Sequence, residues 1–191
     1  MADLPHLPTP RLLLRPLRQG DLPALAAMNA DPEVMEHFPA PLGGTASEVM
    51  AARIADHARE HGFGFWAVEA PGVAVFTGIA GLLVPRFQAH FTPCVEIGWR
   101  FAREYWGRGY ATEAARALLD FAFTRLELEE LVSLTVPANG RSRRVMERIG
   151  MTRDPADDFD HPDLPDGHRL RRHILYRLTR SAWGGEAHRA V

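Results

Sequence analysis

A chain of 191 residues that is 46% hydrophobic and 24% charged has the makeup of a soluble globular protein with enough length for one sizeable core. A formal charge of −2 excludes a general electrostatic pull toward nucleic acid or anionic membrane, so neither is expected as a partner. All 22 residues counted as Lys or Arg are arginine, which excludes a lysine-dependent P-loop, and the lone Cys94 excludes an intrachain disulfide. The opening MADLPHLPTP has neither a basic nor an apolar targeting stretch, and no apolar run is long enough to span a bilayer. A cytoplasmic setting is the expectation.

In chain order, Thr9–Leu17 reads as a first strand and Asp21 opens a helix that carries Leu22, Leu25, Ala26 and Met28. PAPLGG is a loop, after which Thr45 and Glu48 have capping-box spacing and predict a helix to about His61. Phe63–Glu69 and Val75–Val84 read as strands joined by the Ala-Pro-Gly turn between them. Thr92–Phe101 is the next strand. It leads through a glycine turn into a helix whose Ala115, Leu118, Leu119, Ala122, Phe123 and Leu126 share one face. Leu131–Val136 is a strand, Asn139 an N-cap for an Arg141–Arg148 helix, and Gly150 its C′ residue. A strand near Met151–Arg153, an Asp/Pro-rich loop over 154–168 and a strand His173–Leu178 follow.

The sum is an α+β chain: a central mixed, mostly antiparallel sheet of six to seven strands with about four helices. Residues 9–180 are expected as a single domain, with flexible tails at 1–8 and 181–191.

The segment Val95–Phe123 is the most informative. A helix start leaves backbone N–H groups unpaired and adds the positive end of its dipole. Gly107 and Gly109 let an anion approach those groups, so this strand–turn–helix is a device for holding phosphate. It is no dinucleotide fingerprint, because Thr112 stands where the third glycine of G-x-G-x-x-G belongs.

The turn block YWGRGYATEA is followed, one helix and one strand later, by Asn139, Ser142, Val145, Ile149, Gly150 and Met151 in the pattern N-x-x-S-x-x-V-x-x-x-I-G-M. Together the two blocks resemble the GNAT superfamily of acetyl-CoA-dependent acyltransferases. EIGWRF before the turn and TPRLLLRPLRQGDLPAL near the start resemble its RimJ/RimL branch, which includes N-acetyltransferases of ribosomal-protein N-termini. The resemblance covers residues 9–180 and implies a GNAT-like sheet.

It also implies site roles. The backbone of Trp99, Arg100 and Phe101 would pair with the pantetheine arm of acetyl-CoA. The N–H groups of Trp106, Gly107, Arg108, Gly109, Tyr110 and Ala111 would hold its pyrophosphate, and Asn139 would lie beside the pantetheine amides. Arg103, Arg108 and Arg144 are candidate phosphate contacts or, equally, solvated surface charges. Two departures from the family pattern stand out. Glu104 replaces a Gln or Arg before the turn and is expected to point outward. Met146 replaces a tyrosine that protonates the leaving thiolate, and Ser142 is the nearest substitute, as acid or as a helix cap.

Acyl transfer to nitrogen needs a proton acceptor and stabilisation of an oxyanion. Glu96 is a candidate base, since a carboxyl within a strand needs a polar cleft or a cation. The alternative for it is an ion pair with Arg100 or with an arginine of a neighbouring strand. His161 in the acidic loop is a further candidate base. Cys94 is expected to be a packing residue. His57-Ala58-Arg59-Glu60-His61 matches H-x-x-E-H, yet no third ligand is signalled and no metal is expected; lining an acceptor cleft with Phe38, Phe63 and Trp66 is the alternative use. The function so read is acetyl-CoA-dependent transfer of an acetyl group to a primary amine, a protein N-terminus or small amine, in a ternary complex. A non-catalytic acetyl-CoA sensor is the competing reading. The acceptor is not legible, and a homodimer is left open.

Overall fold

In the computed structural model, which describes residues 4–187, strands and helices combine as a mixed α+β protein whose sheet is mostly antiparallel. The strands are β1 (Leu7–Pro8), β2 (Leu13–Arg15), β3 (Phe65–Ala70), β4 (Ala74–Leu83), β5 (Glu96–Phe101), β6 (Glu130–Thr135), β7 (Thr152–Arg153), β8 (Phe159–Asp160) and β9 (Arg172–Thr179). The helices are α1 (Leu22–Ala30), α2 (Gly44–His61), α3 (Tyr110–Asp120), α4 (Gly140–Arg148) and α5 (Arg180–Ala187). The chain divides into two compact units, one made of residues up to Leu83 with Gly98–Ala117, the other of Val84–Ile97 with residues from Leu118 on. The path changes unit after Leu83, again inside β5 and a third time inside α3.

In the first unit the strands run in the order β1-β2-β3-β4-β5. Leu13 faces Glu69 and Phe65 faces Gly81 across antiparallel pairs. Leu25, Met28, Val34, Ala51, Ala67, Phe76 and Ile79 form a core between this sheet and the helices α1 and α2. This unit also buries a cation. Arg15 is 1% exposed, and its guanidinium meets Asp21 at 2.7 Å, Glu69 at 2.8 Å and the carbonyl of Val75 at 2.6 Å. A buried cation is tolerable only with such partners.

In the second unit the order is β5-β6-β9-β7, with β8 also on β9. The β5–β6 pair is parallel at Glu96↔Val132, and the pairs on β9 are antiparallel. Phe91, Val132, Phe159 and Leu175 form its core, with Phe87, Ala89, Cys94 and Leu134 packed on them.

Several expectations are corrected. The Thr45–Glu48 capping box is not formed: Gly43 takes the N-cap position with extended backbone, so Thr45 already lies inside α2. Residues 4–8 are not a loose tail, because Leu4 is buried, the Trp66 indole donates to the carbonyl of Pro5 at 2.8 Å, and Leu7 pairs with Leu14. The segment from 181 is helical to Ala187, with the Trp183 ring 6.4 Å from that of Phe123. Residues 1–3 and 188–191 of the expected tails lie outside the described residues. The Asp/Pro-rich loop contains β8, and the two-residue strands raise the count above seven.

Candidate functional site

The glycine turn is built by the first unit. β5 ends at Phe101, whose carbonyl accepts the Trp106 indole N–H at 2.8 Å. A single turn of 3-10 helix, Arg103–Tyr105, then closes with the Trp106 N–H on the carbonyl of Arg103 at 3.1 Å. The Trp106 amide is therefore occupied, which corrects its expected place in an anion cradle. The amides of Gly107, Arg108, Gly109, Tyr110 and Ala111 have no backbone acceptor among the described residues, and the first bond of α3 is Glu113 N–H to the Gly109 carbonyl at 3.1 Å. Both glycines hold positive φ, 75° and 81°, which side chains disfavour. A Cβ on Gly107 would meet nothing within 4 Å, so the approach to the turn is open.

Glu104 is exposed, as expected of a carboxylate near such a turn. Arg103 is paired with Glu33 at 2.8 Å and so is committed elsewhere. Arg108 lies over the Tyr105 ring at 5.7 Å. The structure adds Arg11, which sequence reasoning missed: its Nη1 donates to the carbonyl of Arg108 at 3.0 Å while its Nε meets Glu113 at 2.7 Å. Burial alone would raise the Glu113 carboxyl, but bonds from Thr9 and Arg11 hold it below the usual carboxylate range.

The second block opens α4 in the second unit. Asn139 is the N-cap, accepting the Ser142 N–H at 3.2 Å and donating to Thr135 Oγ1 at 3.0 Å. The cap is thus supplied by Asn139, and the Ser142 hydroxyl makes no hydrogen bond among the described residues. Gly150 takes φ 85°, the C′ conformation expected of it. Met146 is 1% exposed, so the family's tyrosine position faces the core.

Glu96 is half-buried at the start of β5, and its carboxyl makes no ion pair or hydrogen bond among the described residues. Burial pushes its pKa up to about 8. The ion-pair alternative is not realised: Arg100 bonds Asn29 at 2.6 Å, and Arg177 of β9 holds Glu130 and Asp157, each at 2.7 Å. Cys94 is pushed up to about 11 by burial and by the Glu96 charge, so its thiol stays protonated.

His161 packs on Phe87 at 4.6 Å and on His173 at 5.1 Å, and its Nδ1 accepts the Asp163 N–H at 3.3 Å. Burial holds its pKa below the usual histidine value, leaving it neutral near pH 7. Four acids of the loop are engaged: Asp157 with Arg177 and His90, Asp158 with Arg153, Asp160 with Arg171 and Arg172, and Asp166 with Arg171, while the nearby Asp163 charge opposes the effect of burial on His161. His57 bonds the carbonyl of Phe63 at 3.0 Å and its ring lies 4.4 Å from that of His61. No group of three or more His, Cys, Asp or Glu is placed to hold a metal among the described residues. Trp66 and Phe63 are core residues at 0% and 8% exposure, and no described helix is long and apolar enough to cross a membrane.

Residues 11–152 match the Acetyltransferase (GNAT) domain family. The chain is 31% identical over 184 residues to the FsC-acetyl coenzyme A-N(2)-transacetylase of Aspergillus fumigatus, covering 94% of this chain and 78% of that protein. It is 28% identical over 178 residues to the Uncharacterized N-acetyltransferase YnaD of Bacillus subtilis, covering 93% and 99% of the two chains. A crystal structure of an acetyltransferase (GNAT family) from Bacillus anthracis matches with a TM-score of 0.76 at 25% identity, over 93% of this chain and 99% of that one.

Proposed function

This chain belongs to the GNAT acetyltransferase family and is an acyltransferase, and on that premise we propose that it is an acetyl-CoA-dependent N-acetyltransferase of the RimJ/RimL type, acting directly on a primary amine in a ternary complex. The observation that carries this reading is the run of five amides from Gly107 to Ala111, at the start of α3, with no backbone acceptor among the described residues. That cradle fits a diphosphate in charge and in reach.

Acetyl-CoA supplies an activated thioester. The backbone of Trp99–Phe101 would hold the pantetheine arm, and a β5 N–H would steady charge developing on the carbonyl oxygen. Asn139 caps the start of α4, and the family resemblance assigns it to the pantetheine amides. Glu96, with its raised pKa and no partner among the described residues, would accept the proton of the attacking amine, and His161 is the second candidate for that role. The Ser142 hydroxyl would relay a proton to the departing thiolate, taking one from solvent as it gives its own. Cys94, held as a thiol, takes no covalent part. The lone cysteine suits a reducing cytoplasm, where we place the activity.

The test is an acceptor panel with acetyl-CoA, read as free thiol released and as acetylated product. Turnover that requires both substrates supports the reading. Tight CoA binding without thiol release from any amine contradicts it.

A further inference from the structure

Arg100 stands near the end of β5, and its side chain is held entirely within the first unit. Its Nη1 donates to Asn29 Oδ1 at 2.6 Å and lies 3.7 Å from Met50 Sδ, and its guanidinium lies over the Phe38 ring at 4.0 Å. Asn29 is 0% exposed and is fixed in turn by its Nδ2 donating to Ser47 Oγ at 3.1 Å. Every one of these contacts is neutral. Arg15 and Arg177 each hold two carboxylates, whereas Arg100 holds none among the described residues. Desolvation without a counter-charge lowers its pKa to about 10.

The donors left over have a definite geometry. Nη1 is the nitrogen on the Cδ side of the guanidinium, and it is the one engaged. Among the described residues, Nε is shielded from solvent and has no acceptor, and Nη2 has no partner and is not fully shielded. Nε–H and an Nη2–H point the same way along one edge of the planar group. That edge is the fork that receives both oxygens of a carboxylate.

We propose that this edge of Arg100 binds a carboxylate carried by the amine acceptor, so that the substrate class is a carboxylate-bearing amine such as an amino acid; this rests on the N-acetyltransferase reading above. The same carboxylate chemistry has two sources, a free amino acid or the side chain of an acidic residue at a peptide N-terminus.

The experiment uses the full chain with acetyl-CoA. Glycine, β-alanine, 4-aminobutyrate, 6-aminohexanoate and aspartate are each compared with the matching carboxamide, and peptides beginning with Asp are compared with peptides beginning with Asn. In at least one pair the carboxylate form is used with kcat/KM higher by about tenfold or more. The arm in which the preference appears identifies the source. Arg100→Lys, which keeps the charge but loses the fork, abolishes that preference. Asn29→Asp keeps the guanidinium and supplies it with an internal carboxylate, and it reduces the preference by about fivefold. An independent readout is the Arg100 Nε–Hε resonance, assigned by its loss in Arg100→Lys. It moves on adding the preferred carboxylate amine to the CoA-bound protein and stays in place on adding the matching carboxamide to the same complex.

A resonance unmoved by every carboxylate amine overturns the proposal, as does one moved equally by the matching carboxamide or an acceptor preference that survives both substitutions. Absence of thiol release with every acceptor would instead remove the acetyltransferase reading, and the resonance would then decide the Arg100 assignment by itself.

Discussion

The guanidinium of Arg11 donates to the backbone carbonyl of Arg108 at 3.0 Å, so a residue of the N-terminal segment braces the glycine turn. The brace is itself anchored: Glu113, in the first turn of α3, accepts from Arg11 Nε at 2.7 Å, from the Arg11 amide at 2.8 Å and from the Thr9 hydroxyl at 2.7 Å. The carbonyl of Arg108 is thereby held within a turn whose amides from Gly107 to Ala111 have no backbone acceptor among the described residues. Arg11→Ala is expected to weaken CoA binding by about fivefold by calorimetry, while the exposed position limits the loss of stability to about 1 kcal/mol or less.

Gly109 is the stricter requirement. At φ 81° an alanine is strained, and its methyl would sit 3.3 Å from Arg11 Nη2. Gly109→Ala should lower stability by about 1–2 kcal/mol and weaken CoA binding by about tenfold or more, measured by denaturant unfolding and by titration.

Glu96 yields paired predictions for rate and stability. As a base it must be ionised, so kcat should rise with pH through a limb near the value of about 8 set by burial, and Glu96→Gln should remove that limb. In the unfolded chain the same carboxyl ionises near its ordinary pKa of about 4.3. Between those two values the folded state keeps a proton that the unfolded state has lost. Stability from this group therefore falls as pH rises through that window, and Glu96→Gln should raise the unfolding midpoint at about pH 9 but change it little at about pH 4.

Asn139 and Ser142 can be separated by kinetics. Asn139→Ala removes a cap with bonds to Ser142 and Thr135, so it should destabilise by about 1 kcal/mol and raise KM for acetyl-CoA. Ser142→Ala leaves that cap intact. It should lower kcat by about tenfold or more with KM for acetyl-CoA unchanged, as expected for a group acting on the leaving thiolate. Unchanged kinetics would remove its acid role.

The ends of α4 were legible because Asn139 and Gly150 are local signals, acting on backbone groups within a few residues. The glycine turn was legible for the same reason. Arg11 and Asn29 were not, since their partners lie 97 and 71 residues away in the chain and spacing along a single segment carries no trace of them. Two-residue strands such as β7 and β8 show no alternation to detect. The capping box failed because Gly43, one residue before the start of α2, reached the N-cap first. Glu96 was visible as an acid in a strand, but its isolation became visible only when Arg100 and Arg177 proved to be engaged with other residues.

The most direct measurement follows the backbone amide resonances of the whole protein by NMR as CoA is added. The amides of Gly107, Arg108, Gly109, Tyr110 and Ala111 should shift most, and the Trp106 amide, already bonded to Arg103, should shift less. CoA that binds while those five resonances stay in place, or that fails to bind at all, would contradict the assignment of this turn as the diphosphate site.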